Sequence, residues 1–139
     1  EDGTVFTYDD LFAATGRFAN ALVASGVKPG DRVAVQVEKS PGAIFLYLAC
    51  VRAGAVFLPL NTGYTLAEIE YFLSDAEPAL VVCDPAKRDG IAEVAARTGV
   101  PAVETLGRGK DGSLWNKAAA QQPVFDTVSR GADDLAAIL

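Results

Sequence analysis

Residues 32–60 read RVAVQVEKSPGAIFLYLACVRAGAVFLPL, and this stretch decides the fold. Its first six residues alternate and are rich in Val, which is the pattern of a strand. Ser40-Pro41 marks a helix start, with an N-cap hydroxyl followed by Pro at the first helical position. Ile44, Tyr47, Leu48 and Val51 make the main stripe of that helix. Phe45, Leu46, Ala49 and Cys50 are apolar as well, so the helix is expected to be buried nearly all round. Gly54 ends it, and residues 55–60 form a continuous apolar run of strand length.

The same alternation continues on both sides. Upstream, Thr7 is an N-cap and Asp10, three residues on, completes a capping-box-like start. Leu11, Phe12, Thr15, Phe18, Ala19, Leu22 and Val23 follow at helical spacing until Gly26 stops the helix. Pro29-Gly30 is a tight turn into the first strand. Downstream, Thr65-Leu66-Ala67-Glu68 is a capping box, with Leu66, Ile69, Phe72 and Leu73 as the stripe and Pro78 enforcing the stop. Residues 79–83 read as the next strand. Asp84-Pro85 opens a helix carrying Ile91, Val94 and Ala95 that ends near Gly99. A short strand at 100–104 and a short helix capped by Ser113 and running through Ala120 come next. Residues 121–131 look irregular, and 135–139 read as a buried terminal strand. Apolar strands alternating with helices predict an α/β fold: a mainly parallel sheet flanked by helices, joined by right-handed crossovers.

The chain has 139 residues, enough for one domain with a real core. Half the residues are hydrophobic and 22% are charged, as in ordinary globular domains. The net charge of −6 opposes a nucleic-acid or anionic-membrane partner, and Lys87-Arg88 is as large as any basic cluster gets. No apolar run reaches membrane-spanning length and no signal peptide is visible, which favours the cytoplasm. Glu1 opens the chain, Met is absent throughout, and an apolar run closes it. These features read as a piece of a larger protein.

Few residues stand out as carriers of chemistry. The chain has no His, so no Ser-His-Asp or Cys-His mechanism can be built within it. Cys50 and Cys83 each sit in an apolar segment and read as small buried hydrophobes rather than a disulfide or zinc pair. Gly107, Gly109 and Gly112, beside Arg108 and Lys110, are either a phosphate loop or, more plainly, a flexible connector. Lys39-Ser40-Pro41 is either an anion dock or a simple capped helix start. Asn61-Thr62-Gly63-Tyr64-Thr65 lies between a strand and a capped helix, where ligands bind in open α/β sheets, although a turn with a packing Tyr explains it too. Asp9-Asp10 and Asp133-Asp134 are adjacent pairs whose side chains diverge, so they read as helix-terminus or solvent charges rather than acid/base pairs.

Three segments together resemble a known family. Thr7-Tyr8-Asp9-Asp10-Leu11 is similar to the first core motif of adenylate-forming enzymes, the acyl-CoA synthetases, peptide-synthetase adenylation domains and luciferases. Val51-Arg52-Ala53-Gly54-Ala55-Val56-Phe57-Leu58-Pro59-Leu60-Asn61 is similar to their second. The stretch from Gly26 to Ala34 resembles the turn and strand between them, and order and spacing agree over nearly the whole chain. Within the family, Asn61 to Thr65, Asp75 to Pro78, Val81 to Ile91 and Gly131 to Leu139 resemble malonyl-CoA (methylmalonyl-CoA) synthetases.

The resemblance implies an ATP-dependent ligase. Malonate or methylmalonate and ATP would give an acyl-adenylate and pyrophosphate, and the CoA thiol would then displace AMP, with Mg2+ on the phosphates. It implies that residues 1–139 are the N-terminal α/β segment of the large domain, ending just before the phosphate-binding loop. That loop, the aromatic ATP-site motif, the ribose-binding Asp and the catalytic Lys of the family have no counterpart here. No catalytic, cofactor-binding or metal residue carries over, and the segment alone is expected to be inactive and to need the remainder of its own polypeptide. Two rivals stay open: another acyl- or aryl-CoA ligase or adenylation domain, and a non-catalytic stand-alone α/β binding module.

Overall fold

The structure, a computed structural model, describes residues 3–139. Its elements in chain order are α1 (Tyr8–Ala24), β1 (Arg32–Gln36), α2 (Pro41–Arg52), β2 (Val56–Pro59), α3 (Leu66–Ala76), β3 (Leu80–Cys83), α4 (Arg88–Thr98), β4 (Val103–Thr105) and α5 (Ser113–Ala119). The four strands are all parallel, in the spatial order β2-β1-β3-β4.

Period-two alternation divides the sheet between two helical layers. Val33, Val35, Leu80 and Val82 point to α1, α2 and α5. Ala34, Val81, Cys83 and Leu58 point to α3 and α4. The chain leaves β1 toward β2 through α2, then returns past β1 to β3 through α3. Crossovers that run in opposite directions and keep the right-handed sense must lie on opposite faces, and α2 and α3 do.

Both capping boxes form. Thr7 Oγ1 accepts from Asp10 N–H at 3.1 Å while the Asp10 carboxylate accepts from Thr7 N–H at 2.9 Å. Thr65 and Glu68 repeat the exchange. Ser40 caps α2 with Pro41 behind it.

Several expectations are corrected. The buried side of α2 is Phe45, Leu46, Ala49 and Cys50, while Ile44, Tyr47 and Val51 of the expected stripe are exposed. A helix apolar all round offers periodicity no contrast, so sheet position chooses the face. Phe12 and Val23 of α1 and Leu66 of α3 also lie outward. The helix expected at Asp84-Pro85 begins with a 3₁₀ turn over Pro85–Lys87. Ser113 does not cap α5; Gly112 holds that position, and the Ser113 hydroxyl turns to Glu104 and Thr105 instead. Residues 135–139 are not a buried strand. Their one ladder contact is an isolated parallel bridge between Ala137 and Phe57, and Leu135 and Leu139 are exposed. Residues 131–134 spend their hydrogen bonds on a local turn, and Ala136 and Ala137 have little apolar surface to bury.

The irregular segment 121–130 forms a strap across α1 and the end of α2. Arg17 donates to the Gln121 carbonyl, and Asn20 donates to the carbonyls of Gln122 and Val124 at 2.9 Å each. Gly16 lets the strap close in, because a Cβ there would sit 1.8 Å from the Pro123 carbonyl oxygen. Arg52 fastens it from the other side. Its guanidinium donates to the Phe12 carbonyl and the Thr15 hydroxyl at 2.9 Å and to the Phe125 carbonyl at 2.8 Å. It also lies 4.4 Å from the centre of the Phe12 ring.

Candidate functional site

In a parallel sheet the loops that can hold a ligand gather at the carboxyl ends of the strands. The best-placed crevice is where neighbouring strands send their connections in opposite directions. Here those strands are β1, which leads to β2 on one side, and β3, which leads to β4 on the other. Gln36 ends β1 and Cys83 ends β3.

The loop from β2 to α3 crosses the end of β1 and is tied down there. Gln36 Nε2 donates to the Asn61 carbonyl at 2.8 Å, and Asn61 Oδ1 accepts from Gly63 N–H at 2.8 Å. The loop after β3 meets it, with Lys87 Nζ donating to the Thr62 carbonyl at 2.6 Å. Asp84 shapes that second loop by accepting from Ala86 N–H at 2.8 Å. Between the loops lies a pocket of ≈ 390 Å³. Gln36, Tyr64, Thr65 and Lys87 supply its polar wall, and Leu66, Ile69 and Ile91 its apolar wall. Tyr64 stacks on Phe72 with ring centres 5.0 Å apart, which holds its ring in place.

Gln36 is 1% exposed, and its Oε1 has no hydrogen-bond partner among the described residues. Buried amide oxygens rarely stay unpaired, since doing so costs about 1–3 kcal/mol. Nothing in the amino-acid sequence marked Gln36. A polar residue closing an otherwise apolar strand was the one available signal.

A second depression, of ≈ 790 Å³, opens on the α2 side of the same edge. It brings together two of the sequence candidates, Lys39-Ser40-Pro41 and the Gly107–Gly109 loop, against Phe6 and Trp115. The glycine loop is no phosphate cradle. Asp111 takes Gly107 N–H on its carbonyl at 2.9 Å and Gly109 N–H on its carboxylate at 3.0 Å. Gly112 stands apart, its φ of 107° letting it press against the Thr105 carbonyl. At the α2 terminus Ser40 Oγ takes the Ala43 N–H at 3.1 Å and Pro41 has no N–H, so Gly42 alone offers a donor. Lys39, Arg108 and Lys110 form no ion pair among the described residues.

The remaining candidates have structural roles. Asp10 closes its capping box, and the Thr7 N–H and hydroxyl hold its carboxyl below the ordinary range. Asp134 accepts from Gly131 N–H at 2.7 Å and pairs with Arg130 at 3.3 Å. Cys50 and Cys83 are free and buried, and burial pushes their thiols up to about 12 and about 11. Among the described residues no group of three or more His, Cys, Asp or Glu could hold a metal ion. Nor is any helix among them long and apolar enough to cross a membrane. A partly buried knot that the sequence did not reveal links Glu104 to Lys117 and the Ser113 hydroxyl, with Lys117 also 3.0 Å from Ser25 Oγ. It joins β4, α5 and the end of α1.

This architecture recurs in known proteins. The crystal structure of ATP-bound MatB from Rhodopseudomonas palustris superposes with a TM-score of 0.95 at 60% identity, covering 99% of this chain and 27% of that one. An acyl-CoA synthetase from Brucella canis superposes with a TM-score of 0.85 at 28% identity, covering 96% of this chain and 25% of that one. By sequence, the chain is 38% identical over 94 residues to a feruloyl-CoA synthase from Amycolatopsis sp., which covers 68% of this chain and 19% of the relative. The chain thus spans about a quarter of the length of these structures and about a fifth of that relative. The family described as AMP-binding enzyme matches residues 1–139 without a break. With that match covering the start of α1 and all four parallel strands, the chain belongs to the AMP-binding enzyme family.

Proposed function

We propose that these residues are the N-terminal α/β segment of the large domain of an ATP-dependent acyl-CoA ligase acting on malonate or methylmalonate. The observation that carries this reading is the 60% identity, over 99% of the chain, to an enzyme solved with ATP bound. The family resemblance supplies the chemistry. The carboxylate attacks the α-phosphorus of ATP, pyrophosphate leaves, and the CoA thiol then displaces AMP from the acyl-adenylate. Mg2+ would neutralise phosphate charge in the first step.

The residues of this segment do not fit the triphosphate or its metal. The Gly107 and Gly109 N–H groups are consumed by Asp111, and no ligand cluster exists among the described residues. We therefore assign no bond-making step to them. Their work is to build the sheet edge on which the remaining polypeptide assembles the reaction centre. The net charge of −6 opposes a nucleic-acid or anionic-membrane partner.

The test is AMP formation by the full-length protein with ATP, CoA and a panel of acids. AMP that depends on malonate or methylmalonate and on CoA supports the proposal. AMP formed only with aryl or fatty acids would move the protein to another ligase class, and AMP formed only with a carrier protein would make it an adenylation domain. Specific binding without adenylation of any acid would leave a non-catalytic module.

A further inference from the structure

We propose that the depression on the α2 side of the sheet edge binds a phosphate monoester carried on a planar ring. The site stands on the geometry of this segment and does not depend on the acid that the parent enzyme activates.

Charge sets the first requirement. Lys39, which follows β1, and Arg108 and Lys110, in the loop after β4, all line the depression. None of the three forms an ion pair among the described residues, and no described acid lines the space. On a chain of net charge −6 this is a local reversal of sign. The loop's own acid, Asp111, is spent on its backbone, accepting from Gly109 N–H at 3.0 Å. Glu38, beside Lys39 in sequence, lies outside the lining. Lys110 has a φ of 62°, a left-handed conformation that strains a lysine and not a glycine, so the loop carries strain where it presents a cation. A phosphate monoester brings about two negative charges at neutral pH and three acceptor oxygens, enough for each cation to find one.

Aromatic surface sets the second requirement. Phe6 and Trp115 line the same space. Phe6 packs edge-on against Phe45 with ring centres 5.4 Å apart, and Trp115 against Phe18 at 5.5 Å. These contacts fix both rings. Phe6 nevertheless stays 38% exposed, and Trp115 is half-buried. Lys110 Nζ lies 6.0 Å from the centre of the Phe6 ring, so charge and ring surface adjoin. A planar ring stacked on Phe6 therefore brings its phosphate beside a cation. Stacking accepts any base or aryl group, because each has a π-face. The volume of ≈ 790 Å³ suits a molecule of nucleotide size.

Calorimetric titration of the full-length protein with guanosine 5′-monophosphate, phenyl phosphate, ribose 5-phosphate and guanosine tests the site. Guanine is chosen because an adenine probe would also report an ATP-using centre. We expect at least one ring-bearing phosphate to bind about tenfold or more tightly than ribose 5-phosphate or guanosine, and to weaken as salt rises. A tenfold preference for guanosine 5′-monophosphate over phenyl phosphate assigns the site to nucleotides, and its absence assigns the site to aryl phosphates. Lys39→Glu and Arg108→Glu, both changes at exposed positions, should each weaken binding about tenfold or more. Phe6→Ala should weaken it about fivefold and leave ribose 5-phosphate unchanged. Ring-bearing phosphates that bind no more tightly than ribose 5-phosphate overturn the site. Binding unmoved by both charge reversals overturns it too, because the probe then sits elsewhere in the protein.

Discussion

Arg52 shows how much one residue can hold. It is 9% exposed, and it carries a charge into a region where its partners are two backbone carbonyls, one hydroxyl and an aromatic face rather than a carboxylate. Burial pushes its guanidinium below the ordinary value, yet Arg stays protonated. Arg52→Met would remove three charge-assisted hydrogen bonds, leaving the Phe12 carbonyl only the Thr15 hydroxyl of these donors and the Phe125 carbonyl without the guanidinium, and should cost about 3 kcal/mol or more, read as a lower urea midpoint. Arg52→Lys should recover only part of this, because an ammonium cannot fork to acceptors on both sides. In the sequence Arg52 stood inside a motif read as packing, and nothing showed that residues forty and seventy positions away would converge on it. Cys50 gives a second test at this scale. Its thiol is held at about 12, above the ordinary value of 9.0, so the unfolded chain ionises first as pH rises. Below pH 9 this contribution to stability is fully present. Between about pH 9 and 12 the folded state binds more protons than the unfolded one, and stability must fall. Denaturation midpoints across that window should decline more steeply for the wild type than for Cys50→Ala. A flat wild-type profile would refute the burial argument.

At the scale of elements, local signals were legible wherever the physics is local. Thr7, Ser40 and Thr65 each cap the helix that their sequence announces, because a hydroxyl needs only the N–H three residues ahead. The face of α2 was not legible, since all its sides are apolar and only the sheet distinguishes them. The stop of α3 illustrates a compromise. Pro78 ends the helix as its lack of an N–H requires, but the cap residue Glu77 takes the left-handed conformation at φ 47° that glycine adopts without strain. Glu77→Gly should therefore stabilise the fold by about 0.5–1 kcal/mol, the relief of left-handed strain outweighing the added freedom of the unfolded chain. A lower melting temperature would contradict this. The strap offers the opposite case. Gly16→Ala places a methyl group 1.8 Å from the Pro123 carbonyl, while alanine suits helix α1 itself. The helix should persist and the strap lift, which limited proteolysis would report as new cleavage within residues 121–128. Unchanged cleavage would show that the strap shifts without detaching.

For the whole molecule, the parallel sheet followed from alternation, but the strand order and the status of its outer edge did not. An apolar run becomes a strand only when a neighbour supplies a ladder, and sequence does not reveal which edge is open. β1 and β3 are paired on both sides and buried on both faces, with Val33 beside Leu80 and Val35 beside Val82. β2 meets residues 136–138 only through Phe57, whose N–H donates to the Ala136 carbonyl at 2.9 Å and whose carbonyl accepts from Ile138 N–H at 3.0 Å. Two hydrogen bonds with partly exposed flanks cannot share the cooperativity of the central ladder. The site chemistry follows the same gradient: Gln36 and Lys87 rest on the central strands, whereas residues 135–139 hang from the edge. Amide hydrogen exchange would measure it directly. The Val81 and Val82 amides should exchange only through global unfolding. The Phe57 and Ile138 amides should exchange through local opening, faster by about 10²-fold or more, since a difference of roughly 3 kcal/mol in opening free energy suffices. Equal protection at the two locations would mean that the edge opens only with the core, and residues 136–138 would then count as a fifth strand of the same cooperative sheet.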